Sequence, residues 1–366
     1  MTPAAARSVP FFDYRRAFCA QEAELVEIFR DTGRRGAFIL QEDLSRFEQN
    51  LTRFTGARYA WGVGNATDAL LIALRAAGIG PGDEVIFCSH TMVATAAAIQ
   101  FSGARPVPVE CGADHLIDPE SVAASITPRT RAILPTQLNG RTADMDALAR
   151  FGLPLIEDAA QALGSRFNGQ AAGTFGIASA ISFYPAKMLG CLGDGGAVLT
   201  NDETVSRRIA ELRSHGCNPG GQVVSWGLNS RLDNLQAAIL DFRLRDLEGA
   251  IERRRAIAAF YRAALSEVEE LVLPPYDGPG HFDVFQNYEV EASRRDELRA
   301  FLNAKGVGTL IPWGGNAVHQ WQGLGFNIRL PRTEELFRRL LLLPMNPWLS
   351  DDDVAYVADC VRRFYR

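Results

Sequence analysis

The sequence predicts an α/β protein: a large domain built on a mostly parallel sheet covered by helices, followed by a smaller C-terminal α+β domain. Two observations carry this. Short apolar runs of strand length alternate with helical patterns from Tyr59 to Thr200, which is how repeated βα units read. A chain of 366 residues also has room for one large domain and a smaller one. The expected division is 1–248 and 249–366.

Taken in order, an amphipathic helix is expected over Gln21–Arg30, broken by Gly33-Arg34-Arg35-Gly36. A second helix, Glu42–Phe54, leads to a strand at Tyr59–Val63 and then to a glycine turn and helix start at Gly64–Leu74. Thr67 and Asp68 suit the first turn of that helix, where free N–H groups cap or bind an anion. Further strands are expected near Val85–Phe87, Pro106–Val109, Arg131–Pro135, Leu153–Glu157, Ala178–Phe183 and Ala197–Thr200. Helices ending at Phe101, over Glu120–Ile126, over Ala143–Phe151 and from Asp202 to Ser214 separate them. Arg231–Ser266 reads as helix with a break near Gly249. Beyond the Pro274–Gly280 loop come a strand at Asn287–Glu291, a helix at Arg295–Lys305 and a short strand at Thr309–Ile311.

Composition excludes several classes of function. A net charge of −5, with no basic run interleaved with aromatics, argues against a nucleic-acid partner. No run approaches the roughly 18 uninterrupted apolar residues of a membrane span, and Met1–Arg7 lacks the apolar core of a leader peptide. The six cysteines are scattered without CxxC or zinc-like spacing, so reduced thiols in the cytoplasm and no metal site are expected. No HExxH, GxSxG or Walker motif is present, and the dinucleotide fingerprint begun by Gly62-Val63-Gly64 breaks at Thr67.

What remains is one lysine. Lys187 follows the apolar run Ala178–Phe183 and precedes Gly190, Gly193, Gly195 and Gly196. A lone lysine is ordinarily a solvated surface charge; apolar and glycine neighbours instead favour the neutral, nucleophilic amine. Asp158 ends another apolar run, in Glu157-Asp158-Ala159-Ala160-Gln161. A lysine able to form a Schiff base and a carboxylate for a pyridinium nitrogen are what pyridoxal 5'-phosphate (PLP) chemistry uses.

With these motifs, from about Gly64 to Arg255, the chain resembles the DegT/StrS-type sugar aminotransferases, a branch of the fold-type I PLP enzymes. The resemblance implies an aspartate aminotransferase-like large domain with a seven-stranded sheet. It implies Lys187 as the cofactor lysine, Asp158 as the pyridinium partner and Gln161 near the ring and its 3-hydroxyl. Ala66, Thr67 and Ser182 fall at the phosphate site, with Asn229 reaching the phosphate of a neighbouring subunit; capping the following helix is the other reading of Asn229. The usual aromatic over the ring is replaced by Met92, with His90 the substitute two residues earlier. Gln137 and Asn139 depart from the family's His-Leu-Tyr-Gly, recording either a different sugar or a change in packing. Tyr184 and His319 are further substrate candidates, His319 equally a packed loop residue.

The implied reaction moves an amino group from L-glutamate to C3 or C4 of a nucleotide-linked keto-deoxy sugar, through pyridoxamine 5'-phosphate, in a homodimer with shared sites. The product would serve amino-sugar or polysaccharide biosynthesis. The alternatives are a PLP-dependent sugar dehydratase, which carries histidine in place of this lysine, and a regulatory member without turnover. An NAD-dependent oxidoreductase is a weaker third.

Overall fold

The structure, a computed structural model, describes residues 7–366. Met1–Ala6, on which most of the leader-peptide reading rests, lie outside the described residues. Seven strands form the central sheet: β1 (Tyr59–Val63), β2 (Glu84–Cys88), β3 (Arg105–Val109), β4 (Thr130–Leu134), β5 (Ile156–Asp158), β6 (Ala178–Ser182) and β7 (Gly196–Thr200). Their spatial order is 3-2-4-5-6-7-1, with bridges Ile133–Leu155 and Thr136–Asp158 joining β4 to β5. Only β7 runs antiparallel to its neighbours.

Both faces of the sheet are covered, which is why every residue of β2, β6 and β7 is buried and most are apolar. Val85 and Phe87 pack under the helix Ala66–Ala76, whereas Ile86 and Cys88 pack on the opposite side with Leu138, Met145 and Leu148, the two-residue period of a strand. The C-terminal part holds a small antiparallel sheet of β8 (Leu271–Val272), β9 (Tyr288–Ala292) and β10 (Leu340–Leu343). The helices Leu247–Leu265, Arg295–Ala304 and Asp351–Tyr365 share its apolar cluster, which Val9 joins by pairing with Val307.

Three expectations need correction. The first amphipathic helix spans Glu22–Arg35 and runs through Gly33; it stops at Gly36, whose left-handed φ of 62° closes the end. Gly249 lies inside the helix Leu247–Leu265, and the break falls earlier, after Leu244. A Cβ on Gly249 would lie 2.7 Å from Asp246 Oδ1, so this glycine makes room for a carboxylate rather than ending a helix. Thr309–Ile311 is not a strand, only the single bridge Leu310–Leu342. The helices Tyr14–Cys19, Pro331–Arg339 and Asp351–Tyr365 and the strand β10 were not expected.

A buried ionic cluster ties the small sheet to the large one. His115 Nδ1 lies 2.9 Å from Glu289 Oε1, and its Nε2 lies 3.2 Å from Glu291 Oε1. His90 Nε2 faces Glu289 at 3.5 Å, and Arg339 faces Glu291 at 3.4 Å. Burial by itself would lower the His115 pKa; the two carboxylates outweigh it and hold the imidazolium up to about 9. A histidine pKa raised on folding stabilises fully below its unfolded value, and that stabilisation disappears as pH rises through the folded one. The melting temperature of the wild type should therefore fall more steeply between pH 6.5 and about 9 than that of His115→Gln. Parallel curves would remove the cluster from the account of stability.

Candidate active site

The strand register brings the key residues to the carboxyl-terminal edge of the sheet, where open α/β sheets bind ligands. Asp158 pairs with Ala180 and Ser182 with Gly196, which in turn pairs with Val63 at the end of β1. The helix Ala66–Ala76 starts just beyond β1. Its cap is Asn65, whose Oδ1 accepts from Asp68 N–H at 2.9 Å. The N–H groups of Ala66 and Thr67 precede any partner within the helix, as at every helix start. Asp68 Oδ2 accepts from Ser230 Oγ at 2.6 Å, and the same Oγ accepts from Gly64 N–H at 3.0 Å, which locks the turn. A Cβ on Gly196 would come within 2.6 Å of the Asn65 carbonyl carbon, so only glycine lets β7 pass this close.

Lys187 stands on a turn closed by its own N–H to Tyr184 O (2.8 Å) and by Cys191 N–H to Phe183 O (2.8 Å). From the C-terminal part, Gln286 Nε2 donates to Ala186 O at 2.8 Å. Burial lowers the lysine pKa to about 8, with the Asp158 charge opposing the shift. At neutral pH this amine is far closer to its nucleophilic form than a surface lysine. The chain contains just two lysines, and the other, Lys305, packs its ammonium over the Phe301 ring. With arginine supplying almost all the positive charge, lysine usage is itself a sequence signal for this position.

Asp158 is buried. Its Oδ2 accepts from Thr95 Oγ1 at 2.7 Å and its Oδ1 from Ala160 N–H at 3.2 Å. Thr95 belongs to a hydroxyl chain: Thr91 Oγ1 lies 2.9 Å from Thr95 Oγ1 and 3.0 Å from Thr136 Oγ1. Burial raises the Asp158 pKa, while the Thr95 and Ala160 donors and the Lys187 charge pull it down. The sequence reading missed Thr95, which sits among alanines on a helix and resembles core.

Gln161 Oε1 accepts from Asn139 N–H at 3.0 Å and from Asn287 Nδ2 at 3.1 Å, and Asn287 Nδ2 also donates to Asn139 Oδ1 at 2.8 Å. Asn139 has φ of 56°, a conformation asparagine tolerates better than most residues. With Oε1 occupied, the Gln161 amide N–H is left to donate elsewhere. Ser182 is buried, and its Oγ accepts from Tyr184 N–H at 3.3 Å.

Other candidates fall elsewhere. Gln137 is fully buried, donating to Glu157 Oε2 at 2.9 Å and accepting from Ala143 N–H at 2.7 Å. Glu157 is a buried carboxylate that also accepts from the N–H groups of Gly173, Phe175 and Gly176, and Gln137 completes this donor set; Gln137 is therefore a packing residue and its substrate role is withdrawn. His90 is buried edge-on against His115, Trp313 and Phe337, with Nδ1 2.9 Å from His115 O; it cannot stack on a ligand at the sheet edge. Met92 is the exposed one of the two and lines an apolar cleft of about 540 Å³ with Trp313, Trp321 and Leu324. His319 is also buried, its Nδ1 2.7 Å from Ser89 Oγ and its Nε2 3.6 Å from Glu334, which supports the reading as a packed loop histidine. Tyr184 is exposed and its phenol meets that of Tyr14. Asn229 is exposed and does not cap the following helix, which starts at Asn234 after Asp233.

The DegT/DnrJ/EryC1/StrS aminotransferase family matches residues 20–362. The chain belongs to this family. A Geobacillus stearothermophilus protein named pleiotropic regulatory protein is 39% identical over 98% of this chain and 99% of its own length. The dTDP-3-amino-3,4,6-trideoxy-alpha-D-glucose transaminase of Streptomyces venezuelae is 41% identical over 97% of this chain and 96% of its own. The crystal structure of S. venezuelae DesV in complex with a ketimine intermediate matches with a TM-score of 0.94 at 41% identity, covering 98% of this chain and 99% of that one. The fold is therefore that of the fold-type I aminotransferases.

Aminotransferases of this family use PLP, and the residues here fit it. A depressed lysine, a buried carboxylate already held by two donors and a helix start with free N–H groups stand at one sheet edge. Thr95→Val keeps the shape of the side chain and removes one donor from Asp158. A hydrogen bond to a charged group contributes about 1.5–3 kcal/mol, so PLP retention should weaken roughly tenfold or more. Equilibrium PLP titration of the variant checks this, and unchanged affinity would separate Thr95 from the cofactor site.

Proposed function

We propose that this chain is a PLP-dependent aminotransferase that moves an amino group from L-glutamate to a nucleotide-linked keto-sugar, giving an amino-sugar and 2-oxoglutarate. The observation that carries this is the pairing of a desolvated Lys187 with a buried, donor-held Asp158. Bound PLP would supply the electron sink that lets a proton leave the donor α-carbon.

In this reading Lys187 would hold the cofactor, and its amine would serve as general base and then acid toward the proton of the donor α-carbon. Asp158 would be the partner of the ring nitrogen, with Thr95 and Ala160 N–H stabilising its ionised form. Gln161, oriented by Asn139 and Asn287, offers its amide N–H to the ring oxygen. Ala66, Thr67 and Ser182 would receive the phosphate, and Met92 would cover the ring. The turn around Lys187, pinned by Gln286, keeps the amine on the sheet edge.

Asn229 completes the site from a second copy of the chain. Its supports are its own exposure and the exposed apolar side chains of Val223, Val224 and Trp226 in the adjoining loop, a patch that calls for a partner. Asn229→Ala should fold normally yet retain PLP roughly tenfold less well, the scale of one lost bond to a charged group. Unchanged retention would remove Asn229 from the phosphate site. The reading includes cytoplasmic residence, supported by six unpaired cysteines, and a division into domains 1–248 and 249–366, supported by the separate C-terminal apolar cluster.

The deciding experiment adds L-glutamate to PLP-loaded protein with no sugar present. One 2-oxoglutarate per chain, with loss of the visible cofactor band, is expected. The name of the Geobacillus stearothermophilus relative favours a second reading, a regulatory protein without turnover. Absence of 2-oxoglutarate would put that reading first.

A further inference from the structure

Behind the lysine turn lies a cavity of about 290 Å³, walled by Pro185–Gly190 on one side and by the start of the helix Leu247–Leu265 on the other. We infer that this cavity is a binding site for a small carboxylate anion with a short apolar body. Lys187 lines it too, and apart from that lysine the proposed transamination uses none of its walls.

The argument rests on unbalanced charge. Arg254 is 2% exposed, and its Nη1 donates to the carbonyl oxygens of Phe285 (3.2 Å), Gln286 (3.0 Å) and Met345 (3.0 Å). Its Nε has no partner, and among the described residues no carboxylate pairs with it. Arg243 donates to Gln21 Oε1 at 3.0 Å and to Gly190 O at 2.5 Å, and it too lacks a carboxylate. Burial lowers the pKa of both, Arg254 to about 10. Arg253 also lines the cavity but is already paired with Asp351 at 2.6 Å. The acid on the wall is Asp246, at the start of the helix, and it makes no ion pair among the described residues.

A buried guanidinium, Arg254, and a half-buried one, Arg243, without counter-ions are costly, because desolvation is not repaid. An anion in the cavity would repay it. The planar fork of arginine matches a carboxylate better than it matches a spherical ion. Phe12, Leu189 and Trp348 supply apolar wall, which suits a short hydrocarbon spacer between carboxylates more than a phosphate. The volume lies at the lower end for small-molecule pockets. Because Arg243 holds Gly190 O, the occupant would press on the same turn that carries Lys187.

The test uses glutarate, a dicarboxylate with neither amine nor ketone, on PLP-free protein by titration calorimetry. Glutarate shares the carbon skeleton of the proposed donor, so the two cavity variants, rather than saturable binding alone, separate this site from the donor's place at the sheet edge. Saturable binding is expected in the wild type. Arg243→Gln removes one guanidinium, and Ala250→Leu narrows the cavity from the helix while keeping every arginine. Each should weaken glutarate about tenfold or more while leaving the circular dichroism and melting curve intact. Arg254 is left in place, since its three carbonyl bonds hold the fold together. No saturable binding in the wild type, or wild-type affinity in both folded variants, overturns the site. Inorganic phosphate binding more tightly than glutarate overturns the carboxylate assignment.

Discussion

Lys187→Ala should lower transamination by about 10⁴-fold or more, since it removes both the covalent anchor and the proton carrier. The visible band of PLP-loaded protein should be lost with it. Borohydride reduction of the wild type should fix the cofactor on the peptide holding Lys187. The chain makes this test unusually clean, because the one competing lysine is Lys305, whose ammonium lies over the Phe301 ring far along the sequence. Label on Lys305 alone, or full turnover by the variant, would refute the assignment. Lys187→Arg should fare no better: guanidinium stays protonated and cannot act as the nucleophile.

Asp158→Asn should lower turnover by about 10³-fold, the scale of removing a preorganised electrostatic partner from a buried site. Its effect on stability should have the opposite sign. Burial raises the pKa of Asp158, so the fold penalises its ionised form above the unfolded pKa. Asparagine removes that penalty and keeps an acceptor for Thr95. PLP-free Asp158→Asn should therefore melt at or above the temperature of PLP-free wild type, while PLP-loaded variant gains less from the cofactor. A variant that melts far lower without PLP would make Asp158 a structural residue. Together with the L-glutamate experiment, these two substitutions separate a catalytic constellation from a fold that merely resembles one.

The residues legible in the sequence share a property. Asp158, Lys187, Thr67 and Ser182 sit at the ends of strands, in the turns after them or at the start of the helix that follows, so local pattern and chain order place them at the same sheet edge. Thr95 and Asn287 were invisible because their partners lie 63 and 126 residues away, and a threonine among alanines or an asparagine before a strand carries no local mark of this. Gln137 and His90 misled for the converse reason. Each lies in a segment next to the site, yet its side chain turns inward to Glu157 or to His115.

By itself, then, the sequence determined the βα order, the strand ends and the lysine and carboxylate that meet there, because periodicity and turn residues act over a few positions. The tertiary structure alone decided which polar side chains face the site and which satisfy the interior. A buried carboxylate such as Glu157 must find donors wherever packing brings them, and that requirement fixed Gln137. It also decided that Gly33 and Gly249 stay within helices, since a glycine ends a helix only where the backbone needs a left-handed turn or the packing offers no continuation.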